Sequence, residues 1–259
     1  MNYINSLEIT DIDKPILLFE DGDYQIYWLG LNDDNSFRVN VYLIKSGDEA
    51  VIVDPGNRNF FEPIKKEVIN ILGDVNKVKG AIFCHQDPDV SASIIDWLEI
   101  LPDMQIITSP RVNVLLPFYG IKDDYNFFDI TKSHFEFSNG KILTFIESPF
   151  LHFPGAFTTY CNTSKFLFSG DIFAALDVEW SLIVENWETH EMAMNGFSQD
   201  YFASNTATRG YAMKIEKLPI EAILPQHGSI IPQKFVKNSI QYLRELRCGL
   251  DLIYPYLKD

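Results

Sequence analysis

The sequence is short of several things, and each shortage argues against a class of protein. It has three cysteines, at 84, 161 and 248, and none of them forms a CxxC pair. A disulfide framework or a zinc site built on thiolates is therefore not expected. Basic residues are few: 21 Lys and Arg stand against 36 Asp and Glu, a formal net charge of −15. That balance opposes non-specific binding to nucleic acid or to an anionic membrane. No apolar run approaches the roughly 18 residues of a membrane-spanning helix. The opening "MNYINSLEITDIDKPI" lacks a basic stretch followed by an apolar one, so no secretory signal is read there. A cytoplasmic protein with no membrane or nucleic-acid partner is the expectation, and in that compartment Asn162-Thr163-Ser164 is simply a polar turn. Internal repeats, low-complexity tracts and Pro/Gly/Ser linkers are missing too, so residues 1–259 are predicted to form a single domain.

What is present is material for a core. Hydrophobic residues make up 46% of the chain, with 20 Phe and 12 Tyr among them, which predicts a packed globular protein. The first part reads as strands in quick succession at 16–19, 24–30, 38–45 and 50–54, each bounded by Asp, Asn or Gly. Phe61, Ile64, Val68, Ile69 and Leu72 recur at helical spacing over 61–72. A short strand at 81–84, a helix at 92–101, a short strand "QII" and a helix near 111–116 follow. Residues 135–146 predict a hairpin turned by Asn139-Gly140. Ser138-x-x-Lys141 within it matches the S-x-x-K of serine β-lactamases only by accident, because that motif needs its serine at the start of a helix. Strands at 157–161 and 165–171, a helical stretch over 185–218, a strand with its loop at 222–228 and a closing amphipathic helix over 235–254 complete the chain. Two strand-rich halves, each accompanied by helices, predict an α+β fold, a four-layer αββα sandwich.

"FCHQDPDV", residues 83–90, concentrates the chemistry. His85, Asp87 and Asp89 alternate directly after an apolar strand, an arrangement that costs free energy unless a cation neutralises it. Of the five histidines, His85, His152 and His227 each sit in a loop just after an apolar strand, and Asp171 follows "FLFSG" in the same way. Ligands distant in sequence can meet at one rim of a sheet, so these six residues predict a metal site. His134 and His190, in polar surroundings, are expected on the surface or behind the metal. Cys84 is expected to be a small core residue at the last apolar position of its strand. Phe83, Phe150, Phe153, Phe157 and Tyr160 are read first as core and alternatively as walls of an apolar ligand pocket. For Ser91 and Thr158 the sequence leaves open whether they support the site.

The order H-x-D-x-D, then His, then Asp in "FSGD", then His in "PQHG" resembles the metallo-β-lactamase superfamily. More narrowly, it is similar to the diiron domain of flavodiiron proteins and to their stand-alone relatives, the oxygen-binding diiron proteins. The resemblance covers nearly the whole chain, from "YWLG" and "VDPG" to "PQHGSII". It implies a metallo-β-lactamase-like fold with one iron held by His85, Asp87 and His152, and a second held by Asp89 and His227, with Asp171 bridging them. The carboxylate at Asp87, where zinc hydrolases of the superfamily carry histidine, makes the site oxygen-rich and favours iron or manganese. Three carboxylates against two divalent cations leave a single positive charge, which a bridging hydroxide neutralises.

Two departures shape the expected function. Flavodiiron proteins follow the last aspartate of the motif with a second histidine that ligates iron, and here that position is Val90. The second metal then keeps three protein ligands and an open position. The chain also continues only to residue 259 after His227, which is too little for a flavodoxin domain, so no FMN is expected on this chain. The resemblance therefore implies a two-iron protein that binds O2 reversibly as an oxygen sensor in bacterial signalling such as chemotaxis, with a signalling protein as partner and a homodimer by analogy. The alternatives are a hydrolase of a phosphodiester, thioester or lactam, in which a metal-bridging hydroxide attacks, and an O2 or NO reductase fed by a separate flavoprotein.

Overall fold

The computed structural model describes residues 1–7, 12–30, 38–122, 124–176 and 180–257. One sheet takes β1 (Ile16–Asp21), β2 (Tyr24–Leu29), β3 (Val41–Ser46), β4 (Glu49–Val53), β5 (Val78–Ile82), β6 (Gln105–Thr108) and β7 (Asn126–Asp129), in that spatial order. The first four pair antiparallel, and β4 to β7 run parallel. The other sheet is made of β8 (Phe135–Glu136), β9 (Ile142–Glu147), β10 (Phe157–Cys161), β11 (Phe166–Gly170), β12 (Ala222–Pro225) and β13 (Ile231–Pro232). Its one parallel pair is β11 with β12. Helices α1 (Phe61–Leu72), α2 (Pro88–Ser91), α3 (Ile94–Ile100) and α4 (Pro110–Asn113) accompany the first sheet. Helices α5 (Trp187–Tyr201), α6 (Asn205–Ile215), α7 (Gln233–Glu245) and α8 (Leu250–Ile253) accompany the second.

Side chains alternate across a strand, and here they alternate between two cores. In β3, Tyr42 and Ile44 enter the core between the sheets, while Val41 and Leu43 pack outward with Ile64 and Val68 of α1 and Trp97 of α3. In β11, Phe166 and Phe168 face the first sheet, while Leu167 packs with Phe197 of α5, Tyr211 of α6 and Leu243 of α7. Strands covered on both faces read as unbroken apolar runs, which is why they stood out in the sequence. The result is the expected α+β arrangement of four layers, helices on two sheets on helices.

Some elements differ from expectation, for local reasons. The helix foreseen over 235–254 stops at Glu245. Nδ2 of Asn205 takes the carbonyls of Arg244 and Leu246, and the Asp251 carboxylate accepts from Cys248 N and Asn205 N, which turns the chain back onto α6. The helical stretch over 185–218 is two helices, broken at Phe202, whose backbone is extended. β7 and β13 were not foreseen, since β7 has an exposed start at Asn126 and Phe127 and β13 is two residues long. The hairpin at Asn139-Gly140 is present. Ser138 Oγ donates to Glu49 there and Lys141 pairs with Asp21, so neither takes part in serine-hydrolase chemistry.

Candidate metal centre

Four chain segments meet where the two sheets share a rim. β5 runs into Cys84 and His85, the 148–156 loop after β9 carries His152, β11 ends just before Asp171, and β12 runs into His227. Pro88 opens α2 as its first residue, a position where its missing N–H is no loss. Asp87 precedes it in extended backbone, and its carbonyl accepts from Ser91 N at 2.8 Å. Ser91 Oγ donates to the His85 carbonyl at 2.8 Å, and the Tyr119 hydroxyl donates to the Gln86 carbonyl. The motif loop is thus tied down on both sides. On the other strand end, Asn40 Nδ2 donates to the carbonyls of Pro225 and Gly228, and its Oδ1 accepts from Trp28 Nε1. This buried amide joins the first sheet to the His227 loop.

Nε2 of His85 lies 3.2 Å from Oδ2 of Asp171 and 3.6 Å from Oδ2 of Asp87. Nε2 of His152 lies 3.0 Å and 3.2 Å from the same two oxygens. One ligand atom from each of these four residues fits within 4.8 Å of the others, a grouping able to hold a metal ion. Nε2 of His227 is 3.0 Å from Oδ2 of Asp89 and 3.6 Å from Oδ1 of Asp171. All six residues singled out in the sequence therefore converge, with Asp171 facing all three imidazoles. His227 and Asp171 are buried, whereas the side chains of Asp87 and Asp89 are 33% and 25% exposed, so the site opens to solvent on the motif side.

His134 and His190 lie elsewhere. His134 is exposed beside Glu136, whereas His190 is buried on α5 next to the Trp187 ring, its polar neighbours in sequence being on the other face. Phe83, Phe157 and Tyr160 are core, and Phe150 is half exposed. The aromatic rings that do touch the imidazoles are Phe197 and Tyr201 of α5. They stack at 4.5 Å, and each meets His152 edge-on, at 5.9 and 5.6 Å. Their i,i+4 spacing was the available signal. Gln226 was also missed: its Nε2 reaches Oδ2 of Asp89 at 3.3 Å. Thr158 turns away, accepting from the Tyr211 hydroxyl.

The electrostatics are those of a site made for cations. Burial alone pushes the Asp171 carboxyl up, but His85, His152 and His227 overcome that and hold it far below the usual range. Asp87 is lowered in the same way by His152 and His85, against its own burial. Burial lowers the His152 imidazole, yet Asp171 and Asp87 outweigh it and carry it to about 9. Asp54, fully buried behind the site, is raised to about 6 by desolvation. The protonated His152 stabilises the fold fully below its unfolded value of about 6.5, and that contribution is lost as pH rises through about 9; the lowered carboxylates contribute above about 4 and fail only as pH falls below it. Chelator-treated protein is therefore expected to be most stable near pH 5–6.5 and to melt at progressively lower temperature toward pH 9.5. Thermal melts across that range check this, and a melting temperature that climbs with pH would contradict it.

A four-layer αββα frame with a His/Asp cluster at the rim of its two sheets defines a metallo-β-lactamase-like protein of the flavodiiron-core type. A family model described as "ODP family beta lactamase" matches residues 37–228, and the chain belongs to that family. A structure described as the peroxy diiron species of the chemotaxis sensor ODP is 31% identical, with a TM-score of 0.82 over 94% of this chain and 100% of that one. The apo state of the chemotaxis sensor ODP from T. denticola is 30% identical, with a TM-score of 0.80 over 94% and 99%. Among curated proteins, the flavo-diiron protein FprA2 of Clostridium acetobutylicum is 24% identical over 84% of this chain and 56% of its own length. For a putative diflavin flavoprotein of Nostoc sp. the values are 24%, 88% and 39%. The chain thus spans about half, or less, of the length of these curated relatives. Among the described residues, no helix is long and apolar enough to cross a membrane.

Proposed function

We propose that His85, Asp87 and His152 hold one iron, that Asp89 and His227 hold a second, that Asp171 bridges the two, and that the protein binds O2 reversibly as a cytoplasmic oxygen sensor in signalling such as chemotaxis. The observation that carries this is the position of Asp171. A single buried carboxylate faces two groups of donors, with Oδ2 toward His85 and His152 and Oδ1 toward His227. The donor set fits the ions: Nε2 of His85 and Oδ1 of Asp171 are buried without a hydrogen-bond partner, and imidazole with carboxylate oxygen suits divalent iron. Two ferrous ions held there would supply the electrons that make O2 a reversible ligand.

The chain's own residues account for the rest of the reading. Val90 is fully buried in the apolar core beneath α2, so the motif helix offers the second metal no further donor. Phe197 and Tyr201 shield His152 from bulk water on the α5 side. The His152 side chain is 15% exposed, against 2% for His85 and 0% for His227, which makes it the imidazole best placed to pass a change at the site to a protein partner. The family match and the likeness to a chemotaxis sensor along nearly its whole length support this reading.

Diferrous protein, prepared anaerobically and then mixed with O2, is expected to take up O2 stoichiometrically, without a reductant, and to release it under vacuum. Sustained uptake with a reduced flavoprotein would shift the assignment to a reductase, and turnover of an ester without reductant would shift it to a hydrolase. Val90→His tests the open position. An imidazole there is expected to hold the second metal more tightly and to compete with O2, slowing its uptake or speeding its loss. Val90→Leu, a change of bulk alone, should leave the metal content unchanged. Wild-type oxygen kinetics in Val90→His, with the new imidazole shown to bind iron, would place the oxygen site elsewhere.

A further inference from the structure

Cys84, two residues past the end of β5, does more in the structure than fill space. Its Sγ lies 3.1 Å from Nδ1 of His85, while Nε2 of the same ring points into the cluster toward Asp171 and Asp87. The thiol is held from three sides. Its backbone N–H donates to Oδ1 of the buried Asp54 at 3.0 Å, and its carbonyl accepts from Phe157 N at 3.2 Å. Gly170, the residue before Asp171, presses on it so closely that a Cβ there would fall 2.7 Å from the sulfur. The sulfur is thus clamped between the two strand ends that deliver His85 and Asp171, and it is 4% exposed as a residue.

We infer that Cys84 is a positioning residue for His85, its sulfur accepting the Nδ1 proton so that the imidazole presents a bare Nε2 to the cluster. This rests on the metal reading above. A metal-bound histidine needs its other ring N–H engaged by an acceptor, which fixes tautomer and ring orientation and sets how strong a donor the ring is. His227 satisfies that need with a backbone oxygen, the Arg38 carbonyl at 3.0 Å. His85 has a thiol in that place. Sulfur is a weaker acceptor than a carbonyl or carboxylate, so the two imidazoles donate unequally, and the metal held by His85 is the one whose properties Cys84 tunes. Neither the sequence motif nor the identity of the ligands requires a cysteine at this position.

The test uses zinc as a diamagnetic probe, with the full chain loaded and its affinity read by competition with a chelator. Cys84→Ala removes the acceptor and is expected to weaken zinc binding on the order of tenfold, the scale seen when a ligand's outer hydrogen bond is removed. Cys84→Ser keeps an acceptor oxygen and should restore most of the loss. Cys161→Ala is the control, since it deletes an equally buried thiol whose partner is the Tyr24 hydroxyl at 3.0 Å and not a histidine; it should bind as wild type does. In proton–nitrogen spectra, the Nδ1 proton of His85 should exchange slowly in wild type and Cys84→Ser, and quickly in Cys84→Ala. Wild-type affinity and slow exchange in Cys84→Ala would overturn the inference, as would equal losses in Cys84→Ala and Cys161→Ala, which would mark a packing effect. Failure of wild-type protein itself to bind metal would instead overturn the metal reading, and this inference with it.

Discussion

Asp171→Ala is expected to abolish binding of both metals, the largest single effect foreseen for this protein. Among the described residues, Asp171 is the one carboxylate within ion-pair reach of all three clustered imidazoles, at 3.2 Å from His85, 3.0 Å from His152 and 3.6 Å from His227. Its side chain is 4% exposed, so water cannot take its place at little cost. Removing it leaves His85 and His152 to share Asp87 and leaves His227 with Asp89 alone, with no carboxylate joining the two groups. Breaking a buried charge pair from one side costs about 3–5 kcal/mol, so the variant should also be destabilised when free of metal. Asp171→Asn keeps the volume and separates the two effects: it should fold better than Asp171→Ala and still retain no metal. His134→Ala, at an exposed side chain paired with Glu136, should retain both. Metal analysis of the three variants, with circular dichroism to confirm folding, checks this. Full metal retention in Asp171→Ala would mean that the bridge is assigned wrongly.

Gly228→Ala, beside a histidine of the cluster, is expected to be severely damaging for so small a substitution. Gly228 follows His227 at φ +84, where a side chain strains the backbone. A Cβ there would also lie 2.8 Å from the Cβ and O of Ala175 and 3.0 Å from its N. Those atoms cannot retreat, because Ala175 N donates to the His227 carbonyl and the segment is fixed just after Asp171. The left-handed penalty and the overlap together predict a loss of about 2–5 kcal/mol. Gly22→Ala isolates the first contribution. Gly22 has φ +63 with nothing within 4 Å of the added carbon, so about 1 kcal/mol is expected there. Urea unfolding of both variants decides the matter. Because the displaced backbone carries His227, Gly228→Ala should also weaken the second metal, whereas Gly22→Ala should not.

Several features of the centre lay outside the reach of sequence patterns, and the separations explain why. Asp89 and Gln226 are 137 residues apart, and His227 and Arg38 are 189 apart. Nothing local marks Gln226 as a neighbour of a carboxylate or the Arg38 carbonyl as the acceptor of an imidazole proton. Cys84 was legible as an apolar strand end but not as the partner of His85, because either use calls for a small buried side chain. The aromatic pair on α5 could be read as a helical stripe, but which layer it faced could not. His190, read among Glu188, Thr189 and Glu191 as a surface residue or one behind the metal, lies on a face of α5 that is buried.

The layers and the donors follow from the order of residues alone. Apolar runs long enough for a strand but not for a membrane span, separated by turn residues, admit strands covered on both faces. His and Asp placed just past those strand ends have to emerge at a rim, because a strand delivers its last side chain where its hydrogen bonding stops. Which rim, and at what distances, is set by the packing of the folded chain. The meeting of β5, β11 and β12 depends on two sheets packing face to face through Tyr42, Phe168 and Leu224. That packing is set by shape and volume summed over the whole interface, a property no single segment carries.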